Sequence, residues 1–170
     1  MNVPNKMTVA RIILIPFFVA AFYYEKNMDL KLISVIIFAA ASFTDFLDGY
    51  IARKYNLVTN LGKFMDPLAD KMLTAAAFIC LVEQNYIEGF LVLLIISREY
   101  AISLIRTIGA SSGKIIAASK LGKLKTVTQI ISIIMMLAGI KGGHAVFYLC
   151  TFITVISGAE YIYINRNLFK

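Results

Sequence analysis

Residues 44–71 read TDFLDGYIARKYNLVTNLGKFMDPLADK and hold four of the chain's ten acidic residues, Asp45, Asp48, Asp66 and Asp70, together with Gly49, Gly62 and Arg53. Charge this dense stands out because the surrounding chain is largely apolar. Hydrophobic residues make up 59% of the 170 and charged residues 16%, with mean hydropathy +0.77, against roughly 45–50% and about 25% in ordinary soluble domains. A soluble domain of this length has no means of burying so much apolar surface, so the composition specifies an integral membrane protein.

Working outward from that segment, six apolar runs approach the length needed to cross a hydrocarbon core, about 20 residues at 1.5 Å per residue. They cover residues 8–24, 30–50, 67–82, 87–105, 126–140 and 145–164. The intervening stretches YEKNMDLK, KYNLVTNLGKF, EQNYIEG, GASSGKIIAASKLGK and IKGGHA are short or rich in Gly, Ser and Asn, which suits connections between helices. The expected architecture is therefore an all-α integral membrane domain of six transmembrane helices spanning residues 1–170. The first run follows Lys6 and Arg11, as in a signal peptide, but FFVAAFYYEK is bulky where a signal peptidase needs small residues, so an uncleaved helix is expected. Cys80 and Cys150 lie within apolar runs, without metal-ligand neighbours, and read as packed thiols.

Basic residues set the orientation. Lys6, Arg11, Arg53, Lys54, Lys63, Lys71, Arg106, Lys114, Lys120, Lys123, Lys125, Arg166 and Lys170 lie in or beside the N-terminus, the second and fourth connections and the C-terminus, whereas Lys26, Lys31 and Lys141 lie on the other side. The positive-inside rule then puts both termini and the residue 44–71 segment at the cytoplasmic face of the membrane. The net charge of +7 is accounted for by this topology and by attraction to anionic headgroups. Nucleic acid is not an expected partner, since the basic residues lack an interleaved aromatic platform.

This topology brings the four acids to one membrane face. On helices, Asp45, Asp48 and Ala52 fall at i, i+3 and i+7, and Asp66 and Asp70 at i and i+4. Four carboxylates on two joined helices repel one another unless cations lie between them. With no His or Cys adjacent, the suitable occupants are two hard divalent cations bound by oxygen. Gly49 and Gly62 permit close approach of backbone or phosphate, and Arg53 supplies a planar cation able to grip a diphosphate. The plainer alternative pairs Asp45 and Asp48 with Arg53 and Lys54 and makes Asp66 a helix cap ahead of Pro67. Ionisable residues at membrane depth are costly and usually functional, which favours the metal reading.

The spacing Asp45-x-x-Asp48-Gly49-x-x-Ala52-Arg53, eight residues, Gly62-x-x-x-Asp66-x-x-x-Asp70 resembles the full signature of the CDP-alcohol phosphotransferase family. The resemblance implies a bacterial multi-pass cell-membrane enzyme with six helices, a homodimer, with a cytoplasmic-side active site requiring two Mg²⁺ or Mn²⁺ ions. Its reaction would transfer a phosphatidyl group from CDP-diacylglycerol to an alcohol and release CMP. By the same resemblance Asp45, Asp48, Asp66 and Asp70 would ligate the metals, Asp70 would be the base, and Gly49, Ala52, Arg53 and Gly62 would line the cytidine diphosphate site. Asn5, Thr8 and Arg11 of the first run would stand near the nucleotide or phosphates; the alternative makes Asn5 a helix cap and Arg11 a membrane-face anchor.

The acceptor is read from other segments. Arg98 interrupts the run LLIISREYAISLIRT, and Arg106 follows eight residues later, about 12 Å along a helix. Arg98 needs an anionic partner, either Glu99 or Glu160 within the chain or a phosphate on the acceptor, unless it snorkels to the bilayer edge. Lys123 and Lys125 open the fifth run and complete a basic cradle suited to a glycerol phosphate dianion. NVPNKMTVARIILIPF, NLVTNLGKFMDPLADK, SREYAISLIR and GKLKTVTQ also resemble the branch of the family whose acceptor is sn-glycerol 3-phosphate. Competing readings are the same chemistry on phosphatidylglycerol, an inositol phosphate or serine, and a divalent-cation transporter. A permeation path would carry polar groups through the full depth, whereas the outer halves of the runs are nearly all apolar.

Overall fold

A computed structural model describes the backbone at residues 3–54, 60–111 and 120–166, and the side chains at 8–44, 68–69, 71–107, 109 and 121–166. Six helices are present among the described residues: α1 (Val3–Tyr24), α2 (Leu32–Lys54), α3 (Asn60–Glu83), α4 (Gly89–Ser111), α5 (Lys120–Leu137) and α6 (Gly143–Ile164). Each coincides with one apolar run, and the boundaries differ where polar residues extend a helix beyond its apolar part. The largest difference is α3, which begins at Asn60, whereas its apolar run begins at residue 67. Asp66 and Pro67 therefore lie inside the helix, which removes the reading of Asp66 as its cap. By hydropathy, α6 is the one helix among the described residues long and apolar enough to span a bilayer unaided, at mean hydropathy 1.6, while Thr8–Tyr24 and Leu32–Thr44 are shorter apolar stretches.

Helical periodicity sorts each sequence into a buried stripe and an exposed one. The buried positions are Thr8, Arg11, Phe18 and Phe22 on α1, Ser34, Phe38 and Ala41 on α2, Ala69, Leu73, Ala77 and Leu81 on α3, and Phe147, Cys150, Thr154, Ser157 and Tyr161 on α6. The opposite faces carry Phe17, Phe43, Phe90, Leu93, Phe152 and Val155, all exposed. An apolar exterior around an interior containing Thr, Ser, Gln, Lys and Arg reverses the usual soluble pattern and is consistent with a membrane protein.

Alternating helix directions give the bundle two unlike ends. At the turn end, where α1–α2, α3–α4 and α5–α6 connect, Phe18, Phe22, Phe38, Phe78 and Phe147 form the core. Phe18 and Phe38 have ring centroids 5.9 Å apart, and Phe78 and Phe147 5.7 Å. Cys80 and Cys150 are buried free thiols. The opposite end holds the start of α1, the ends of α2, α4 and α6 and the starts of α3 and α5, and among the described residues Thr8, Arg11, Lys125 and Ser157 are buried there.

The turns are locked by charge. Glu25, just past α1, accepts hydrogen bonds from Ile33 N (2.8 Å), Ser34 N (2.9 Å) and Ser34 Oγ (2.7 Å), so it caps the start of α2 from outside that helix. Reciprocally, Lys31 Nζ donates to the carbonyls of Glu25 (3.1 Å), Lys26 (3.3 Å) and Met28 (2.9 Å) at the end of α1. Although the basic-residue pattern groups Lys31 with the outer-face charges, it is only 1% exposed. Its backbone N–H also donates to Leu137 O (2.9 Å), tying this turn to the end of α5. Close by, Gly139 adopts φ +65°, and a Cβ there would lie 2.7 Å from Asp29 O, so the α5–α6 turn requires glycine. The second and third turns meet where a His144 ring nitrogen lies 2.8 Å from Tyr86 O and Tyr148 donates to Glu88.

Burial pushes the Glu25 carboxyl up, but the Ser34 and Ile33 hydrogen bonds and the Lys31 charge outweigh it and leave the pKa below the ordinary 4.5. The resulting stabilisation is complete above that value and disappears as the pH falls through the lowered folded pKa. Glu25→Ala is expected to lose about 1–2 kcal/mol, typical of a removed N-cap, and to flatten the acid limb of the stability profile. Thermal unfolding in detergent from pH 3 to 7 measures both effects; a variant as stable as the parent at pH 7 would show that water replaces the cap.

Candidate functional site

The polar end is built from the same stripes that form the aromatic core. On α2, the buried positions Ser34, Phe38 and Ala41 continue in register to Asp45, Asp48 and Ala52. On α3, Asp66 and Asp70 precede Leu73 and Ala77 by one helical repeat, seven residues. The two helices contact each other, and α1 packs against both. In the backbone, the four aspartates thus share the helical register of those buried positions, toward the end where α2 leads into α3. The side chains of Asn5, Asp45, Asp48, Gly49, Ala52, Arg53, Gly62, Asp66 and Asp70 lie outside the described residues. As a donor set, four carboxylates on two touching helices suit hard divalent cations.

From α1, Thr8 and Arg11 occupy the buried stripe at this same end, 1% and 0% exposed. A snorkelling anchor would be exposed, so full burial removes the membrane-face reading of Arg11. An arginine at that depth, on a helix packed against both carboxylate-bearing helices, has the location required of a phosphate or carboxylate ligand.

The basic residues of α4 and α5 divide into distinct environments. Arg98 Nη1 pairs with Glu99 Oε1 at 3.2 Å, and Nη2 donates to Ser157 Oγ on α6 at 3.0 Å. Lys125 of α5, 2% exposed, pairs with the same Glu99 oxygen. One carboxylate therefore joins two cations from separate helices. This supplies Arg98 with the intrachain partner foreseen in Glu99, whereas Glu160 does not fill that role: its Oε2 is buried without a hydrogen-bond partner among the described residues, as is Arg98 Nε. Arg106, exposed near the end of α4, donates from Nε to the Tyr161 hydroxyl (3.2 Å), and its Cζ lies 5.5 Å from that ring's centroid. Lys123 is exposed on α5 and does not join the Glu99 group.

Several contributors are absent from the sequence-derived site. Ser157, Gly158 and Tyr161 all contact its arginines. The available signal lay in α6, where Ser157, Gly158, Glu160 and Tyr161 interrupt an otherwise apolar helix at helical spacing. The polar interior continues along α5 through Thr128, Gln129 and Ser132, each buried.

Residues 1–158 match the family model for CDP-alcohol phosphatidyltransferase, and the chain belongs to that family. A Bacillus subtilis (strain 168) protein named CDP-diacylglycerol–glycerol-3-phosphate 3-phosphatidyltransferase is 42% identical, the alignment covering 99% of this chain and 97% of the relative. Proteins of the same name from Rickettsia felis and Salmonella typhimurium are each 37% identical, covering 99% and 98% of this chain and 97% and 96% of theirs.

Removing Glu99 leaves Lys125 and Arg98 as unpaired buried cations. Glu99→Ala is expected to destabilise the protein by about 3 kcal/mol, and Glu99→Leu combined with Lys125→Met to recover most of the loss. Thermal unfolding in detergent tests the pair. A stable Glu99→Ala protein would mean that the two cations are solvated or partnered without it.

Proposed function

We propose that the chain transfers the phosphatidyl group of CDP-diacylglycerol to sn-glycerol 3-phosphate, producing phosphatidylglycerophosphate and CMP. The observation that carries this reading is the juxtaposition of two features at one end of one bundle. The carboxylate signature occupies the core register of two touching helices, and a group of arginines and lysines from α4 and α5 lies at the same end. Near full-length relatives named for this activity support the same acceptor.

In this reading residues 1–170 form a single domain crossing a bacterial cell membrane six times, with both termini and the polar end on the cytoplasmic side. It works as a homodimer. The distribution of basic residues supports the orientation, and the apolar exterior supports the immersion. Asp45, Asp48, Asp66 and Asp70 would hold two divalent cations, Mg²⁺ or Mn²⁺, which when bound would polarise the diphosphate and neutralise charge developing on the departing CMP.

The remaining roles belong to side chains. Gly49, Ala52 and Gly62 give the cytidine diphosphate close access to the helix backbones, and Arg53 holds its phosphates. Asn5, Thr8 and Arg11 of α1 complete that side of the site. Arg98, Arg106, Lys123 and Lys125 bind the phosphate of the acceptor, with the Glu99 carboxylate balancing the buried cations until the dianion arrives. Asp70 removes the proton from the acceptor hydroxyl as its oxygen attacks the lipid-linked phosphorus; the bond from that phosphorus to the CMP oxygen breaks, and CMP leaves. A carboxylate close to other acids and cations can remain ionised at neutral pH and serve as base.

Release of CMP from CDP-diacylglycerol by purified protein with Mg²⁺ or Mn²⁺ tests the assignment. Turnover is expected with glycerol 3-phosphate and not with serine, an inositol phosphate or phosphatidylglycerol; turnover with one of these alone would transfer the chain to another acceptor. Asp70→Asn is expected to reduce turnover at least about 10²-fold while leaving CDP-diacylglycerol binding in place. Near-normal turnover would exclude Asp70 as base. EDTA is expected to abolish CMP release and added Mg²⁺ to restore it, and full activity in EDTA would sink the metal assignment.

A further inference from the structure

α6 is the most apolar helix of the bundle, yet one face of its last third is Ser157, Gly158 and Tyr161, and each meets an arginine of α4. Ser157 Oγ donates to Thr154 O at 3.1 Å, which fixes the hydroxyl and presents its lone pairs to Arg98 Nη2. Gly158 makes room for the arginine stem: a Cβ there would lie 3.0 Å from Arg98 Cγ and 3.5 Å from its Nε. Tyr161 is 3% exposed and packs with Ile102 and Ile105 of α4, so its ring is a rigid part of the α4–α6 seam. Its hydroxyl takes Arg106 Nε, leaving the two terminal nitrogens of that guanidinium for another partner.

From these contacts we infer that Ser157 and Tyr161 are positioning residues for the acceptor phosphate, acting through Arg98 and Arg106. The inference rests on the proposed role of those two arginines in binding glycerol 3-phosphate. An arginine side chain free to rotate must be ordered when its anion binds, and that cost weakens binding. Anchoring each guanidinium from α6 removes part of the cost in advance. It also fixes the spacing between two phosphate-binding groups eight residues apart on α4, so acceptor affinity is set by a helix that carries none of the signature acids. The CDP-diacylglycerol site on α1, α2 and α3 is not part of this seam.

The test is steady-state CMP release by the full chain in detergent with Mg²⁺, varying each substrate independently, for the parent, Tyr161→Phe, Arg106→Ala and the double variant. Tyr161→Phe keeps the ring and its packing and removes one hydrogen bond to a charged group. It is expected to raise the KM for glycerol 3-phosphate about tenfold, while the KM for CDP-diacylglycerol stays within about twofold. In the Arg106→Ala background the same substitution is expected to add nothing, because its route of action is gone. Ser157→Ala should behave likewise with respect to Arg98. An unchanged acceptor KM in Tyr161→Phe, an equal rise in both KM values, or an effect that multiplies with Arg106→Ala would overturn the inference. If Arg106→Ala itself spares the acceptor KM, the phosphate-binding role of the arginine falls as well; a normal Arg106 effect with a silent Tyr161→Phe removes the positioning role alone.

Discussion

Charge inside an apolar bundle has to be paired there, and the layout of this protein follows from where those pairings fall. At the turn end, Glu25 and Lys31 exchange caps between α1 and α2, each ion saturated by backbone groups of the other helix's terminus. Toward the polar end, Glu99 joins Arg98 of its own helix to Lys125 of α5, and Ser157 extends the group to α6. Removing one member of either arrangement is costly, because an unpaired buried ion costs far more than a lost surface contact. These pairings fix the relative placement of helices whose apolar surfaces alone would slide with little preference.

Between the charged layers lies a division of labour. The phenylalanine core at the turn end packs rings across α1–α2 and α3–α6. The other half keeps the same helical stripes but fills them with Thr8, Arg11, Thr128, Gln129, Ser132, Thr154 and Ser157. Aromatic packing at one end thus stands opposite buried polar side chains at the other. A reaction between a membrane-embedded nucleotide lipid and a water-soluble phosphate calls for such a gradient, because the acyl chains and the ionic groups must be accommodated in one molecule.

Much of this was legible in the sequence. Six apolar runs became six helices, since hydrophobic length and periodicity act locally. The spacing of Asp45, Asp48, Asp66 and Asp70 was sufficient to place them on shared helix faces, and the family match over residues 1–158 agrees with that signature. Other readings depended on burial, which local pattern does not carry. Arg11 reads equally as a phosphate-side residue or a membrane-face anchor until its full burial decides against the anchor, and Lys31 as an outer-loop charge until its bonds to the α1–α2 turn and to Leu137 enclose it. Asp66 allows a cap reading beside the metal one because Pro67 commonly opens a helix, yet residues 60–66 continue α3 in the other direction.

The sequence by itself determined the six helical runs and the acidic signature that marks the family. Each of these rests on composition or on spacing within one helix, where neighbours in sequence are neighbours in space. The tertiary structure alone decided which partner each buried cation takes. It assigned Glu99 to both Arg98 and Lys125, left Glu160 out, and brought Ser157 and Tyr161 against arginines more than fifty residues away. The physical reason is that pairing energy depends on distance in space and on desolvation. Both are set by how helices pack and are invisible in the order of residues along the chain.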